Sequence, residues 1–235
     1  MATRDVGEYA SMQAATSRII TARTTLFLQN ELDEVPYEQR HDPRIQLARR
    51  ASLAKLRNRL MLSALEDEQH ILWLDADVVE LSPEIVQNMI SQAVKNESVG
   101  IITAMCHQNQ MDNYDKNAWK VNSPSLMGPI NDEGRANAVK QLVEERLLLP
   151  DAMKGSAEGV LVPLDSVGGT ILYIRADLIR QGLSFPYFNI VGTTWSKSGW
   201  IGVETEGLCY MARELKGGGC FALAGDHWAR HTDWG

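Results

Sequence analysis

Two carboxylates follow directly on an apolar stretch in the first third of the chain. Residues 71–74 read ILWL, and residues 75–77 read DAD. Because the apolar residues do not alternate with polar ones, they predict a strand over residues 70–77 that is buried on both faces, as in a parallel sheet. Side chains two residues apart in a strand lie on the same side, so Asp75 and Asp77 are expected to project together, about 7 Å apart along the chain.

The carboxyl end of a strand is where open α/β sheets bind their ligands, and this position suggests chemistry for the pair. Two carboxylates placed side by side repel one another and are costly to remove from water unless a cation joins them. Mg²⁺ and Mn²⁺ prefer oxygen ligands and often take only one or two from the protein, with phosphates and water supplying the rest. The pair is therefore a candidate metal site for a nucleotide.

The aspartate pair also fits two alternative roles. In the first, both aspartates are solvated at the end of a strand, and Asp77 caps a turn. In the second, the segment fits the Asp-x-Asp pattern of haloacid-dehalogenase-type phosphatases, in which the first aspartate, here Asp75, is the nucleophile and the second is the acid. That class also has a Gly-Asp pair followed closely by another aspartate, whereas Gly225-Asp226 is followed only by Asp233.

The elements that must position this pair alternate between strands and helices. Helices are predicted at residues 7–19, 44–66, 83–95, 133–148 and 203–215, and in the helix 44–66 the apolar residues recur at spacings near three and four. Runs rich in β-branched or apolar residues predict further strands at residues 20–28, 98–105, 159–163, 168–177 and 220–224. This alternation predicts an α/β fold with a mainly parallel central sheet and, since no linker is visible, a single domain over residues 1–235.

The overall composition limits the partners of the chain. The 235 residues carry a formal net charge of −7, and the sequence pI is about 5.3. An acidic chain has no general attraction for nucleic acid or for an anionic membrane surface. A nucleic-acid partner is therefore not expected. No stretch approaches the roughly 18 apolar residues of a membrane span, so no span is expected either. Three cysteines allow one disulfide but do not require any.

Further candidate residues lie in the predicted helix 44–66 and at the predicted strand 168–177. Arg50 and Arg57 are seven residues apart and share a helix face, which either meets nucleotide phosphates or is a solvated basic face. Asn58 is a further candidate nucleotide contact. Gly168 and Gly169 form a bulge or tight turn, and the same residues would let the backbone approach a donor sugar.

Several separated segments, in order, resemble one family, the fungal Golgi mannosyltransferases of glycosyltransferase family 62, which are the mannan polymerase subunits. The segments are RRASLAKLRNRLMLSAL, ILWLDADVVELSPEIVQNMI, NYDKNAWK, DSVGGTILYIRADLIRQGLSFP and VETEGLCYMAREL. The resemblance covers roughly residues 44–235. It implies a nucleotide-sugar transferase fold of the GT-A type, GDP-mannose as donor, Mn²⁺ as metal (with Mg²⁺ as an alternative) and retention of the α configuration.

The resemblance also implies roles for individual residues. Asp75 and Asp77 would contact the metal and the diphosphate, and a histidine from the end of the chain would complete the metal shell. His227 and His231 compete for that role, and the family's pattern favours His231. The metal would act as a Lewis acid on the leaving nucleoside diphosphate.

Glu204 and Glu206 are the candidate catalytic residues. Acids in the first turn of a helix are also explained by the helix dipole. The match to the family's Glu-Thr-Glu-Gly segment favours a carboxylate that faces the sugar or the acceptor. Such a group could orient acceptor hydroxyls or stabilise an oxocarbenium-like transition state.

Family membership would place the chain in the Golgi lumen, with a nucleotide sugar, a mannan or N-glycan acceptor and other mannosyltransferase subunits as partners. Family members begin with a membrane anchor and a first β-α unit that holds the nucleobase, and both are expected to be missing from this chain, as in an N-terminally truncated transferase. The hypotheses are therefore a retaining α-mannosyltransferase, a phosphatase with Asp75 as nucleophile, and a non-catalytic scaffold subunit.

Overall fold

The computed structural model describes most of the chain, namely residues 2–3, 5–17, 25–28, 42–109, 111–128, 132–194 and 197–232. The chain forms two compact units, residues 1–66 and residues 67–235. Each is described by itself. The single domain expected over residues 1–235 stays a prediction, since two compact units can belong to one domain.

Among its described residues, the first unit has two short strands and two helices: β1 (Ala2–Thr3), α1 (Val6–Thr16), β2 (Phe27–Leu28) and α2 (Pro43–Ala64). β1 and β2 pair in parallel. The predicted helix 44–66 is confirmed as α2. Of the predicted strand 20–28, residues 20–24 lie outside the described part of the chain.

The second unit carries the remaining elements. Its strands are β3 (His70–Leu74), β4 (Val78–Leu81), β5 (Val99–Thr103), β6 (Met105–His107), β7 (Trp119–Val121), β8 (Arg146–Leu148), β9 (Leu161–Pro163), β10 (Ile171–Arg175), β11 (Gly219–Leu223) and β12 (Trp228–His231). Its helices are α3 (Ile85–Lys95), α4 (Asp132–Glu145), α5 (Leu149–Ala152), α6 (Ala176–Arg180) and α7 (Thr205–Ala212). The α/β class is confirmed.

The central sheet has five strands in the order β3-β10-β5-β11-β9. Only β5 and β11 pair in parallel, and the other neighbours are antiparallel. The predicted mainly parallel sheet is therefore a mixed one, because β10 runs in the opposite direction between β3 and β5. As a result, the carboxyl ends of β3, β5 and β11 and the amino end of β10 meet at one edge of the sheet.

β3 differs from its prediction in burial and in length. It lies at the side of the sheet with one neighbour, so its side chains are half-buried or exposed rather than buried on both faces. The strand ends at Leu74, and the amide of Val78 donates to the carbonyl of Asp75 at 3.1 Å, which closes a turn. Asp75 and Asp77 thus lie in a turn between two strands, and strand alternation does not set the directions of their side chains.

The core of the second unit lies between α3 and the central sheet. Ile85, Met89 and Ala93 recur every four residues on α3, which places them on one buried face. They pack in one cluster with Ile102 of β5 and Tyr173 of β10. Fully burying Ile85 and Met89 contributes about 1.5–3 kcal/mol each, so this face of α3 is held on the sheet.

A second sheet, in the order β4-β12-β6, follows the turn. β12 pairs antiparallel with β4 and parallel with β6. The register between β12 and β4 is irregular between Arg230 and His231, so that His231 lies opposite Val78, the first residue of β4. Such an irregularity re-aims a side chain. The end of the chain, which carries no strand prediction, therefore returns to the aspartate turn.

One disulfide joins Cys209 of α7 to Cys220 of β11, and Cys106 is a free, buried cysteine. Of the helices in the described part of the chain, none combines the length and the apolar content that a membrane crossing needs.

Candidate functional site

The aspartate turn is held at the edge of the central sheet by backbone hydrogen bonds on both sides. The amide of Asp75 donates to the carbonyl of Thr170, just before β10, at 3.1 Å. The amide of Thr232, just after β12, donates to the carbonyl of Asp77 at 2.8 Å. Thr170 and Thr232, which are distant in sequence, therefore hold the backbone of the turn that carries both carboxylates.

His231 contacts Asp77 directly. Its Nε2 lies 2.9 Å from Oδ2 of Asp77, and the two side chains are 4% and 31% exposed. Oδ1 of Asp77 is also buried and has no hydrogen-bond partner among the residues that the structure describes. Buried polar atoms are normally paired, so the position of this oxygen is compatible with a water molecule or a cation as its partner.

The other ring nitrogen of His231 has two contacts that allow either tautomer. Nδ1 lies 3.1 Å from the carbonyl of Thr232 and 3.2 Å from Nε2 of Gln108. If Nδ1 carries the proton, it donates to Thr232 and leaves the Nε2 lone pair directed at Asp77, which is the form that binds metals. If Nε2 carries the proton, it donates to Asp77, and Nδ1 accepts from Gln108. The same contacts thus suit His231 with a metal ion and without one.

His227, the other candidate from the sequence, lies in different surroundings. Its Nε2 is 3.0 Å from Oε1 of Glu158 and 3.4 Å from Nδ2 of Asn88. Oε2 of Glu158 in turn accepts from the amide of Asp226 at 2.9 Å. Of the two histidines that the sequence left in competition, the structure therefore brings His231 to Asp77.

The pKa values of one buried and one half-buried side chain reflect the negative charge around the turn. Burial is the largest cause that raises the pKa of the Cys106 thiol to about 12, and a hydrogen bond with Thr170 partly opposes it. The carboxylates of Asp115, Asp75 and Asp77 raise this pKa further. Burial and then Asp77 raise the pKa of Tyr114, whose ring centroid lies 4.5 Å from that of His231. Three carboxylates therefore act on one small region, where a cation would be stabilised.

Asp115 holds the glycine segment beside the turn, a role that the sequence reasoning missed. Its Oδ2 accepts from the amides of Gly169 at 2.7 Å and Thr170 at 3.1 Å, and Oδ1 accepts from the amide of Asn117 at 3.2 Å. A Cβ atom at Gly168 would lie 2.4 Å from Oδ2 of Asp115. Gly168 is thus required by the close approach of Asp115, and the available signal was the segment NYDKNAWK.

Glu204 and Glu206 lie at the start of α7. Glu204 is 5% exposed and has a φ of 63°, an uncommon backbone conformation for a residue other than glycine. Its amide donates to the carbonyl of Pro186 at 2.7 Å, and Oε2 of Glu206 accepts from the amide of Gly202 at 3.2 Å. Strained backbone of this kind is concentrated at functional sites. The catalytic role of both residues stays a prediction.

Arg50, Arg57 and Asn58 lie on α2, in the first unit. Their contact with a nucleotide stays a prediction. The structure brings together, within the second unit, the turn with Asp75 and Asp77, the histidine His231 and the segment after Gly168.

The donor set at the turn fits a small divalent cation. Within the described ranges, no group of three or more His, Cys, Asp or Glu side chains is arranged to hold a metal. Mg²⁺ and similar ions, however, often take only one or two protein ligands beside phosphates and water. Neighbouring ligands of an octahedral ion, each about 2.1 Å from it, lie about 3 Å apart. The separation of 2.9 Å between Asp77 and His231 agrees with that value.

Comparisons with known proteins agree with the family resemblance of the sequence motifs. The model of the Anp1 family matches residues 8–189. The chain is 32% identical over 193 residues to mannan polymerase complex subunit mnn9 of Schizosaccharomyces pombe, covering 79% of this chain and 53% of that protein. It is 27% identical over 200 residues to the corresponding MNN9 subunit of Candida albicans, covering 79% and 50%.

A further relative is the mannan polymerase I complex VAN1 subunit of Saccharomyces cerevisiae. It is 29% identical over 194 residues, with 76% of this chain and 33% of that protein covered. The chain spans about half the length of the MNN9 relatives that it matches. The family match extends over most of the chain, so the family resemblance expected from the sequence motifs is confirmed, and the chain belongs to the Anp1 family, that of the fungal mannan polymerase subunits.

Proposed function

We propose that this protein is a retaining α-mannosyltransferase that transfers mannose from GDP-mannose to mannan or N-glycan outer-chain acceptors. The observation that carries the proposal is the pairing of Asp77 with His231 at the sheet edge, where one buried carboxylate oxygen has no partner among the described residues. Membership of the mannan polymerase family supplies the reaction class. The predicted GT-A fold belongs to this proposal.

Asp77 and His231 would hold Mn²⁺ or Mg²⁺, with Asp75 beside them. When bound, the metal supplies Lewis acidity toward the diphosphate leaving group. The protein groups would do the positioning: with its proton on Nδ1, His231 donates to the carbonyl of Thr232 and presents the Nε2 lone pair to the ion beside Asp77. Asp115 fixes the segment after Gly168, to which the turn is hydrogen-bonded.

The remaining candidate residues act on the two substrates. Arg50, Arg57 and Asn58 would contact the nucleotide, because guanidinium groups bind phosphate with directed hydrogen bonds. One of Glu204 and Glu206 would orient acceptor hydroxyls or stabilise positive charge that develops on the sugar.

The cellular setting of the proposal is the Golgi lumen, within a complex of mannosyltransferase subunits. The relatives are named as subunits of mannan polymerase complexes, which supports such partners. The disulfide between Cys209 and Cys220 supports an oxidising compartment, since such bonds are rare in the cytosol.

The test is turnover of GDP-mannose with an α-mannoside acceptor and Mn²⁺, with the product's anomeric configuration read by NMR. We expect Asp75→Ala and Asp77→Ala to lose at least about a hundredfold in rate, which corresponds to about 2.7 kcal/mol of transition-state stabilisation. Asp112→Ala, which removes an exposed carboxylate, is the matched control. Full activity in either turn variant would refute the metal assignment.

A scaffold subunit without catalysis is the second candidate. It is favoured by the names of the relatives, which are those of complex subunits. Calorimetric titration distinguishes the two, because a transferase binds GDP more tightly with Mn²⁺ present, whereas a scaffold shows no such coupling. A covalent aspartyl-phosphate trapped on Asp75 would instead support the phosphatase hypothesis.

A further inference from the structure

An exposed pair of aromatic rings lies on the loop between α6 and α7. Tyr187 is 53% exposed and Phe188 is 41% exposed. Their ring centroids are 5.5 Å apart with an interplanar angle of 79°, an edge-to-face contact. The preceding residues Phe185 and Pro186 are buried, and the following residue, Asn189, is half-buried. The two rings are thus a local apolar surface on a loop that is otherwise covered.

The loop is fixed to the strand that leads into the aspartate turn. The ring of Phe185 packs edge-on against Trp73 of β3, with centroids 5.8 Å apart and an angle of 89°. Trp73 lies two residues before Asp75. Phe188 follows Phe185 by three residues, and three residues of extended chain span at most about 11 Å. The aromatic pair is therefore tethered within a short distance of a residue that packs on the metal-site strand.

The same loop is fixed to the start of α7 on its other side. The carbonyl of Pro186 accepts from the amide of Glu204 at 2.7 Å. A Cβ atom at Gly207 would lie 2.7 Å from Cγ of Pro186 and 2.6 Å from Cγ2 of Ile190, so the absence of a side chain there allows the loop to pack directly on the helix. The residues on either side of the aromatic pair are therefore packed against α7 and β3.

The size and surroundings of the pair favour a sugar over a protein. A stable protein interface needs roughly 800 Å² from each partner, whereas one aromatic side chain buries about 150–250 Å². Two half-exposed rings match one or two pyranose rings, whose C–H faces are apolar. The half-buried carboxylate of Glu206 lies on α7, on which the base of this loop packs, and sugar hydroxyls donate to such groups.

We propose that Tyr187 and Phe188 form a stacking subsite for a hexopyranose ring of the glycan acceptor. The inference rests on the proposed function, since the acceptor must be a glycan for the subsite to serve the reaction. Its substrate class is a neutral oligosaccharide whose ring faces pack on the aromatic pair while its hydroxyls meet the carboxylate of Glu206 at the start of α7.

The test is direct binding of an α-linked mannotriose to the protein in the presence of GDP and Mn²⁺, measured by saturation-transfer NMR and calorimetry. We expect Tyr187→Ala and Phe188→Ala each to weaken mannotriose binding about tenfold, and the double variant to weaken it further. The Kd of GDP should change less than twofold in each.

Three controls separate stacking from other effects. Tyr187→Phe and Phe188→Tyr keep a ring and should retain at least half the affinity for mannotriose. Val94→Ala truncates an exposed apolar side chain on α3 and should leave mannotriose binding unchanged. Thermal unfolding midpoints within a few degrees of wild type would show that the alanine variants fold.

The outcomes distinguish this inference from the proposed function. Normal GDP–Mn²⁺ binding with unchanged mannotriose affinity in the double variant would overturn the subsite and leave the transferase proposal intact. Mannotriose binding that needs the aromatic pair, in a protein that does not bind GDP with Mn²⁺, would keep the subsite and refute the transferase. Loss of self-association or of vesicle binding in the double variant, with sugar binding unchanged, would assign the pair to a macromolecular contact and overturn the sugar.

Discussion

His231 and His227 form a natural matched pair for testing the metal site. Both are buried histidines near the end of the chain, four residues apart, and each has Nε2 about 3 Å from a carboxylate oxygen. His231 contacts Asp77 of the aspartate turn, and His227 contacts Glu158. We predict that His231→Ala abolishes the Mn²⁺-dependent part of GDP binding and that His227→Ala leaves it within a factor of about two.

The expected magnitudes follow from the contacts. Outer-shell partners of a metal typically contribute 10–100-fold to affinity, and a direct ligand exceeds this, so we expect a loss of at least about a hundredfold, or about 2.7 kcal/mol. Both variants lose a buried imidazole, and His231→Ala leaves a buried oxygen of Asp77 without its partner, which costs about 1–3 kcal/mol of folding stability. Glu158 is largely solvated, so His227→Ala should cost about 1 kcal/mol, toward the lower end of that range.

The assay is calorimetric titration of GDP into each variant with Mn²⁺ present and again with Mn²⁺ removed by chelation. Urea unfolding of each variant provides the stability correction, and titrations are made well below the unfolding midpoints. Equal losses of coupled binding in the two variants would show that the effect is general destabilisation. Retention of coupled binding in His231→Ala would refute the assignment of His231 as a ligand.

Three further predictions concern the structure around the site. Replacing Cys209 and Cys220 by serine should lower the free energy of unfolding by about 3 kcal/mol, because the bridge joins residues 11 apart and restricts the unfolded chain over that loop. An unchanged urea midpoint would contradict this. Gly168→Ala should cost about 2 kcal/mol through its clash with Asp115, and combining it with Asp115→Ala should cost less than the sum of the two single changes; strict additivity would exclude that contact. Burial raises the pKa of Tyr173 from 10.0 to about 12, so the unfolded state loses this proton first, and the stability should fall as pH rises from about 10 to about 12. Tyr173→Phe should remove that part of the loss in urea unfolding series, and an identical pH slope in both proteins would count against it.

Local patterns along the chain predicted much of the secondary structure. The helices α2 and α3 follow from apolar residues at spacings of three and four, and β5 and β11 follow from short apolar runs between turn residues. The family could also be predicted, because several motifs in the right order are specific even when each alone is weak. These features depend on residues close together in the chain.

The sheet could not be predicted in the same way. The alternation of strands and helices favoured parallel pairing, but β10 lies between β3 and β5 and pairs antiparallel with both. The choice of neighbouring strand is made by hydrogen bonds between distant segments, which leave no local periodicity. The strand β3 also ends earlier than predicted, because the carbonyl of Asp75 accepts from the amide of Val78 and closes a turn.

The sequence alone thus determined which residue types the site contains, namely two aspartates after an apolar strand and a histidine near the end of the chain. Only the tertiary structure decided which histidine lies against Asp77. His227 and His231 are an even number of residues apart, so strand alternation would place both on the same face. They would lie about 13 Å apart along a strand, but the sequence pattern does not indicate which of them lies near the aspartates. The register of β12 against β4 determines the position of His231. The irregularity after Arg230 places His231 opposite Val78, with its imidazole against Asp77.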